Sequence, residues 1–468
     1  MEVPPLAFVA RVFATCVDVY SGTCPDHNEW MVNRYTSFRK LSALLPLLVL
    51  PLAGPAHAAP ADEPLRVWTR SSKDGRKTYD AIAAAFTKQT GIRVEYFNAM
   101  TDFESRLARA AVGGRMPDVI VNEIGAAGQL VNMGVAVEID RTRIAGGDRL
   151  LDSAWRAATL PDGKTYGVPV SVQTHVLFVR RDWREKLGLP VPRTWEELAA
   201  LSRAFTERDP DGNGRRDTYG LAVAGTAARG YAAASLSSFL FQAGGEFQRR
   251  GADGRARGAL DEPAAIATLT FFRRLVCEDR SVQPNAINAA TQDTNKAFSS
   301  GQAGIYLSGP YHIALFDKEP GRARYEVVPL PAGPTGQRAS MAGGELAYLT
   351  TRGRHPEEAR RFVEFLISPQ GQTMGMQATD GGLPVVRLPV DRGLDAGAIH
   401  GDARWAMVAD EYRSHGHPMP QARNWSRLQQ LAADGFNGIL AHCSQDIPGE
   451  LRALNQRFNA ELARQEAQ

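Results

Sequence analysis

Short apolar runs and helix-spaced apolar positions follow one another from residue 65 onward. Residues 65–68 and 92–96 are predicted strands, and residues 117–121 (PDVIV) are a predicted buried strand. Between them lie two segments whose apolar side chains are spaced to share one helix face: Tyr79, Ile82, Ala83 and Phe86, then Phe103, Leu107, Ala110 and Ala111. This order of strand, helix, strand, helix and strand predicts an open parallel sheet covered by helices.

A similar alternation restarts after residue 166 and predicts a second α/β half. Residues 166–182 (YGVPVSVQTHVLFVRRD) form a long strand-like run with two polar side chains, Gln173 and His175, in its middle. Residues 194–197 (TWEE) fit a capping box that opens a helix. Strand and helix signals return later, up to a Ser-Pro pair at residues 368–369 that is expected to end a helix. We therefore predict two α/β halves, with a chain crossing near residue 172.

Length and composition agree with a globular protein of two domains. The chain has 468 residues, which is more than one hydrophobic core usually organises. With 44% hydrophobic and 22% charged residues, it falls in the range of ordinary globular domains. The formal charge of +3 is nearly balanced, and no basic stripe is interleaved with aromatic residues, so nucleic acid is not an expected partner.

The N-terminal region predicts export. From Met31 the chain carries a basic stretch, then an apolar run over residues 41–52, then the Ala-His-Ala sequence of a small-residue cleavage site. We interpret residues 31–58 as a secretory signal peptide, because the apolar run is shorter than the about 20 residues that span a bilayer. Residues 1–30 precede that signal and are interpreted as a non-native upstream extension. The mature protein, from residue 59, is expected to be soluble and periplasmic.

Seven segments along the mature chain carry a resemblance to a known family. They are FTKQTGIRVEY, GRMPDVIV, YGVPVSVQTHVLFVRRD with TWEELAALSRAF, DPDGNGRRDTYGL, AFSSGQAGIYLSGPY, GGELAYLT and RHPEEARRFVEFLISPQGQ. In this order they resemble extracellular solute-binding proteins of the sugar type, which serve ABC importers, and are similar to maltose-binding and related oligosaccharide-binding proteins. Each segment alone is a weak signal, whereas seven in the family's order are a strong one.

The resemblance implies an α/β fold of the two-lobed periplasmic binding protein type, with a ligand cleft between the lobes and hinge crossings. The first lobe would comprise residues 59–172 and 328–370, and the second lobe residues 173–327 and 371–468. The resemblance further implies a carbohydrate solute, the transmembrane permease subunits of an ABC importer as partner, a monomeric state and no enzymatic activity.

Polar residues that follow strands are candidate ligand contacts, because ligands of open α/β sheets bind at the carboxyl ends of the strands. Sugar hydroxyls need hydrogen-bond partners, and the C–H faces of sugar rings pack on aromatic side chains. By this reasoning and by family position, the predicted ligand-binding residues are Arg70, Ser71, Ser72, Lys73, Asn122, Glu123, Gln173, His175, Tyr311, Gly344, Glu345 and Trp425. The alternatives are helix capping after the first strand and after residue 121, internal pairing of Gln173 and His175, and core packing of Tyr311 and Trp425.

An acidic loop at residues 208–221 (RDPDGNGRRDTYGL) raises the question of calcium. Its acidic and amide side chains match the first nine positions of a calcium-binding loop: Asp209, Asp211, Asn213 and Asp217. The twelfth position is Gly220 instead of a bidentate Glu, so the loop is not an EF-hand. The alternatives are a hydrogen-bonded surface turn and a structural calcium site completed by a distant carboxylate. No other cofactor is expected.

Two other functions stand beside sugar binding. An exported glycoside-acting enzyme would need a catalytic site, and neither G-x-S-x-G nor H-E-x-x-H occurs in the chain. A binder of another polar solute, such as a glycerol phosphate ester, a polyol or a polyamine, is the closer alternative, because Arg70 and Lys73 permit an anionic ligand. Cys277 and Cys443 of the mature chain either pair with each other or remain buried thiols.

Overall fold

Twelve strands in three sheets make up the β structure of the computed structural model, which describes residues 63–99, 102–378 and 382–467. The predicted upstream extension and signal peptide, residues 1–58, lie outside the described residues. The strands are β1 (Leu65–Thr69), β2 (Val94–Asn98), β3 (Val119–Glu123), β4 (Val168–Thr174), β5 (Val176–Arg180), β6 (Tyr219–Ala222), β7 (Gln248–Arg250), β8 (Ala256–Gly258), β9 (Ala303–Ser308), β10 (Tyr325–Val328), β11 (Ser340–Leu349) and β12 (Gly416–Pro418).

Sixteen α-helices accompany these strands in the described ranges. They are α1 (Lys73–Thr90), α2 (Phe103–Val112), α3 (Ala127–Asn132), α4 (Asp152–Ala157), α5 (Arg181–Lys186), α6 (Trp195–Glu207), α7 (Tyr231–Gln242), α8 (Pro263–Arg273), α9 (Thr291–Ser299), α10 (Ile313–Phe316), α11 (Pro356–Leu366), α12 (Pro369–Gln377), α13 (Ala396–His400), α14 (Ala403–His415), α15 (Trp425–Ala441) and α16 (Ile447–Glu466). Among these helices, none has the length and apolar character needed to cross a membrane.

The first sheet has six strands, and its centre is parallel as predicted. β1 pairs in parallel with β2 on one side and β3 on the other, so that Val67 in the middle of β1 is wholly buried. β11 pairs with β3 and β4 in the antiparallel direction and with β12 in parallel. β3 continues to Glu123, two residues beyond the predicted strand, so Asn122 and Glu123 form the end of the strand itself.

The second sheet contains β10, β5, β9 and β6 in that order. The long strand-like run at residues 166–182 is divided into β4, which belongs to the first sheet, and β5, which belongs to the second. The division falls at His175. Its backbone N–H donates to the Met341 carbonyl oxygen at 3.2 Å, and its carbonyl oxygen accepts a hydrogen bond from Ser340 Oγ at 2.6 Å. The chain therefore passes from one sheet to the other at one residue, which is bonded to the start of β11.

Two large hydrophobic clusters and a smaller one form the interior. Tyr79 and Phe86 of α1 belong to the first cluster, as the helix pattern predicted. Trp195 belongs to the second cluster, where its ring packs on Phe239 and Phe271. The C-terminal part of the chain contributes to both, because apolar residues of the segment 385–412 join the first cluster while α15 and α16 join the second. The lobe boundaries given by the resemblance stay a prediction.

A disulfide joins Cys277 and Cys443, a pairing that the sequence left open. Cys277 follows α8, and Cys443 lies between α15 and α16, so the bond links segments with a sequence separation of 166 residues. Disulfides persist in oxidising compartments, so the pairing agrees with the predicted export.

Candidate functional site

A cleft with a volume of about 230 Å³ lies where strand ends of both sheets meet. The first sheet contributes Glu123 at the end of β3, Gln173 near the end of β4, and Gly344 of β11. The second sheet contributes Ala222 at the end of β6 and Ser308 at the end of β9. Residues of α4, α7, α8, α9 and α15, of the turn after β3 and of the segment 418–421 complete the wall. The cleft therefore gathers chemical groups that are far apart in the sequence at the strand ends where open α/β sheets bind ligands.

Half of the twelve predicted contact residues line this cleft. They are Glu123, Gln173, His175, Tyr311, Gly344 and Trp425. The other six lie away from its wall: Arg70, Ser71, Ser72, Lys73, Asn122 and Glu345. The structure thus brings together the predicted residues near the chain crossings and the aromatic residues, but not the loop after β1.

The residues away from the wall have local surroundings that explain their positions. Ser72 Oγ accepts the Gly75 N–H at 3.2 Å and caps α1, and Lys73 is exposed in the first turn of that helix. Ser71 Oγ lies 3.1 Å from a threonine hydroxyl of β1. Asn122 is buried, and its Oδ1 accepts the neighbouring backbone N–H at 2.8 Å. Helix capping, the alternative interpretation, is what Ser72 does here.

Arg70 lies behind the cleft, between two carboxylates. Its guanidinium forms an ion pair with Glu123, and its Nε lies 3.4 Å from Glu104 Oε1. The Arg70 side chain is 12% exposed, and its charge is balanced by these two partners. The same ion pair engages Oε1 of Glu123, which is the one carboxylate-bearing residue among the described residues that line the cleft.

Gln173 and His175 offer uncharged polar groups on the side of the cleft formed by the crossing. Gln173 lines the cleft, and its Oε1 atom is buried with no hydrogen-bond partner among the described residues, a state that is costly for a polar atom. Burial lowers the pKa of His175 to about 4, so the imidazole is neutral at pH 7 and has one donor and one acceptor nitrogen. Its Nδ1 lies 3.2 Å from Ser238 Oγ, which satisfies one of them.

Tyr311 is held in place by groups beneath and beside its ring. The guanidinium carbon of Arg387 lies 5.3 Å from the ring centroid, and the Tyr311 hydroxyl oxygen accepts a hydrogen bond from Ser308 Oγ at 3.2 Å. Arg387 in turn forms a 2.8 Å ion pair with buried Glu345. Glu345 therefore supports the site through Arg387 and Tyr311, although it does not line the cleft.

Trp425 combines packing with a place in the cleft wall. It is the first residue of α15 and 3% exposed, and its ring meets Phe247 edge to face at a centroid distance of 5.3 Å. A Cβ atom added to Gly125 would lie 2.9 Å from Trp425 Cδ1, closer than side-chain carbons pack. A glycine at position 125 therefore lets the indole approach the end of β3 from across the cleft.

Sequence reasoning missed several polar or aromatic residues of the wall, among them Tyr231, Tyr306, Gln421 and Gln429. Gln429 follows Trp425 by four residues in one helix, a spacing that places both side chains on the same face. Tyr306 precedes Ser308 by two residues in β9, so both point to the same side of the sheet. The spacing from Trp425 is a signal that could have identified Gln429, whereas Ser308 was not itself a predicted contact and gave no signal for Tyr306. No sequence motif identifies Tyr231 or Gln421 as a ligand contact.

The acidic loop forms a turn closed by its own hydrogen bonds. Asp209 accepts the backbone N–H groups of Gly212, Asn213 and Gly214 at 3.0–3.1 Å. The Asn213 amide donates to Asp211 at 2.8 Å and to Asp217 at 3.1 Å. No group of three or more His, Cys, Asp or Glu residues that could hold a metal ion occurs in the described part of the chain. This is the geometry of the surface-turn alternative, and a calcium ion here stays a prediction.

Comparison with known families gives one match that spans most of the chain. The family described as bacterial extracellular solute-binding protein matches residues 70–373. The matched region contains Glu123, Gln173, His175 and Tyr311 of the cleft, together with both strands that meet at the crossing.

Individual relatives are distant in sequence and close in fold. The polygalacturonan/rhamnogalacturonan-binding protein YtcQ of Bacillus subtilis is 28% identical over 219 residues, 44% of this chain and 42% of that protein. The fructooligosaccharide ABC transporter substrate-binding protein FusA of Streptococcus pneumoniae is 25% identical over 286 residues, 55% of this chain and 51% of that protein. The chain spans about half the length of the curated relatives that it matches. The structure of maltose-bound T. maritima MalE3 has a TM-score of 0.72 at 19% identity, over 85% of this chain and 99% of that chain, which confirms the predicted two-lobed α/β fold.

Proposed function

Because the chain belongs to the bacterial extracellular solute-binding protein family, we propose that it is the substrate-binding component of an ABC importer. It captures a sugar or an oligosaccharide in the periplasm and delivers it to the transmembrane permease subunits. The observation that supports this most directly is the lining of the cleft. Aromatic rings and uncharged amides from both sheets and from the segments packed against them line it, and no arginine or lysine occurs among the described residues that line it.

The chemistry of the lining suits a molecule with apolar ring faces and many hydroxyl groups. Tyr311 and Trp425 supply aromatic surface for the C–H faces of a sugar ring. Gln173, Gln421 and Gln429 supply amides, each of which can both donate and accept hydrogen bonds. The two curated relatives compared above carry names that refer to binding of carbohydrate polymers or oligomers, which points in the same direction.

The charge of the cleft argues against the other polar solutes. A glycerol phosphate ester needs a cation or several N–H donors at its phosphate, and Arg70 is instead paired with Glu123 and Glu104. A polyamine needs unpaired carboxylates, and Glu123 is engaged by Arg70. A neutral carbohydrate requires neither group. The same lining offers no pair of carboxylates for acid–base cleavage of a glycoside, and we infer that the protein releases its solute unchanged.

We propose that the solute acts by bridging the two lobes. Glu123 and Gln173 belong to the first sheet, and Tyr311 follows the last strand residue of β9 in the second. A solute that contacts both sets gains most when the lobes approach each other, so it shifts the population toward the closed form. The permease subunits would recognise that form, with the protein acting as a monomer released from its signal peptide.

A thermal-shift screen of the purified protein tests the proposal. Neutral mono-, di- and oligosaccharides, polyols, glycerol phosphates and polyamines are compared at equal concentration. A ligand present at 100 times its Kd stabilises the folded protein by about 2.7 kcal/mol, which raises the melting temperature by several degrees. We expect this rise with a carbohydrate. A rise with a phosphate ester or a polyamine and with no carbohydrate would contradict the proposal.

Matched variants test whether the rise in melting temperature comes from binding in the cleft. Gln173→Leu removes the buried acceptor at nearly constant volume, and Gln456→Leu makes the same change on the exposed face of α16. The carbohydrate-induced shift should fall in the first variant and persist in the second. Chromatography of the recovered carbohydrate should show no new product, and cleavage would indicate an enzyme.

A further inference from the structure

A second cavity adjoins the cleft and continues it. Its volume is about 540 Å³, and it shares wall residues with the cleft, among them Ala157, Gly343 and Gln421. It extends toward α4, the end of α14 and the small hairpin of β7 and β8. Ligand sites commonly have volumes of about 300–1,000 Å³, so the cleft alone is small, whereas the two cavities together are large enough for several sugar rings.

Each cavity is lined by a glutamine whose amide oxygen is buried and has no hydrogen-bond partner in the described part of the chain. Gln173 is this residue in the cleft, and Gln248 is its counterpart in the second cavity. The Gln248 Nε2 group donates to the Gln421 carbonyl oxygen at 3.3 Å, which fixes the orientation of the amide. A buried acceptor left unpaired is costly, so both atoms are suited to accept a hydrogen bond from a ligand. One hydroxyl-bearing chain that passes through both cavities would supply both donors.

The two cavities differ in charge. The cleft has no arginine or lysine among its described lining residues, whereas Arg156 and Arg413 line the second cavity. Arg156 forms no ion pair within the described ranges, and the Arg413 guanidinium is 3.8 Å from its nearest carboxylate, Asp410. The one acidic lining residue described there, Glu246, lies 2.9 Å from His417 Nε2. Two guanidinium groups with little local compensation favour an anionic group on the ligand.

From these observations we propose that the solute is an acidic oligosaccharide that occupies both cavities. Its neutral part lies in the cleft with Gln173 and Tyr311, and a sugar residue bearing a carboxylate lies in the second cavity with Arg156, Arg413 and Gln248. The proposal rests on the proposed function and narrows its substrate class. A simple anion is not sufficient, because binding energy comes from ring contacts in the cleft as well as from the carboxylate.

Isothermal titration calorimetry with paired probes tests this. The probes are tri- and tetrasaccharides that end in glucuronate or galacturonate, each beside the same oligosaccharide with its carboxylate reduced to a primary alcohol. We expect at least one acidic probe to bind about tenfold more tightly than its reduced counterpart. Arg156→Gln and Arg413→Gln should each reduce this ratio by about three- to fivefold, in the upper range for partly exposed ion pairs. The ratio should also fall as the salt concentration rises.

Two further variants separate a specific site from a general charge effect. Arg452→Gln removes an arginine that is similarly exposed and also 3.8 Å from its carboxylate, but lies on α16 outside both cavities, so the ratio should stay unchanged. Gln248→Leu should weaken binding of a trisaccharide and have little effect on a disaccharide confined to the cleft.

The outcomes distinguish this proposal from the one on which it rests. One outcome is that neutral disaccharides bind and that neither added length nor a carboxylate increases affinity. This result would overturn the proposal of an acidic oligosaccharide in both cavities, but it would leave the proposed sugar-binding function intact. If no carbohydrate of any length binds, the proposed function itself fails. Equal weakening by Arg413→Gln and Arg452→Gln would show that net charge, and not the second cavity, governs the preference.

Discussion

Removing the disulfide between Cys277 and Cys443 should lower the free energy of unfolding by about 5 kcal/mol. The bond spans a sequence separation of 166 residues, and the chain-entropy relation for a loop of that length gives about this value at 25 °C. Cys277 is half-buried and Cys443 is exposed, so replacing both by Ala leaves no closed cavity in the core. The difference in stability therefore reports the restriction that the bond places on the unfolded chain.

Equilibrium unfolding in urea, followed by circular dichroism, measures this difference. The unchanged protein is compared with Cys277→Ala/Cys443→Ala, each with and without a reducing agent, and thiol titration verifies the bond in the unchanged protein. Reduction should move the unfolding curve of the unchanged protein to that of the variant and leave the variant unaffected. Coincident curves under oxidising conditions, with the bond verified, would refute the reasoning.

Three other changes test how the site is supported. Gly125→Ala forces the indole of Trp425 to move and should weaken carbohydrate binding by about tenfold, or 1.4 kcal/mol, in a calorimetric titration. Arg387→Met leaves Glu345 buried without its partner and should lower the free energy of unfolding by about 3–5 kcal/mol. Burial lowers the pKa of His175 from 6.5 to about 4, so the unfolded state binds this proton first as the pH falls. Stability should therefore decrease between pH 6.5 and 4, by up to about 3 kcal/mol for this one group, and His175→Gln should reduce the decrease in urea titrations.

Controls accompany these changes. Gly438→Ala, where an added Cβ meets no atom within 4 Å, should leave binding unchanged and stabilise α15 by up to about 1 kcal/mol. Arg387→Met combined with Glu345→Leu should recover part of the lost stability, because no charge then remains buried and unpaired. Identical pH dependence in the unchanged protein and His175→Gln would show that other groups govern the acid transition.

Local patterns predicted many elements because their determinants are close in sequence. The apolar spacing of α1 and the glycine that ends it were sufficient to place that helix, since Gly91 adopts a φ of 74°, which other residues rarely tolerate. The end of α11 was also anticipated at residues 368–369. The prediction that this Ser-Pro pair only closes a helix was incomplete, because Ser368 also caps α12 and Pro369 is its first residue. Serine before proline is equally a start signal.

The site was less predictable, since it depends on pairings between distant segments. The pattern at residues 166–182 predicted a crossing near residue 172 but could not place the change of sheet between Thr174 and Val176, because both flanks are equally apolar. Ser72 and Lys73 followed a strand as ligand contacts do, yet the need to cap α1 determined the Ser72 conformation. The helix residues Tyr231 and Gln429 reach the wall only because α7 and α15 pack across the strand ends.

His175 lies at one of the two points where the described chain passes between the large sheets, the other being the connection from β10 to β11, and Gln173 lies two residues before it. A substitution chosen to alter which sugar is recognised at this point will also alter the torsional freedom of the passage between the halves. A substitution at this crossing that changes sugar selectivity therefore also changes how easily the two halves move apart. In relatives that bind other solutes, we expect the first substitutions at Tyr231, Gln421 or Gln429, because these wall residues do not lie at the crossing.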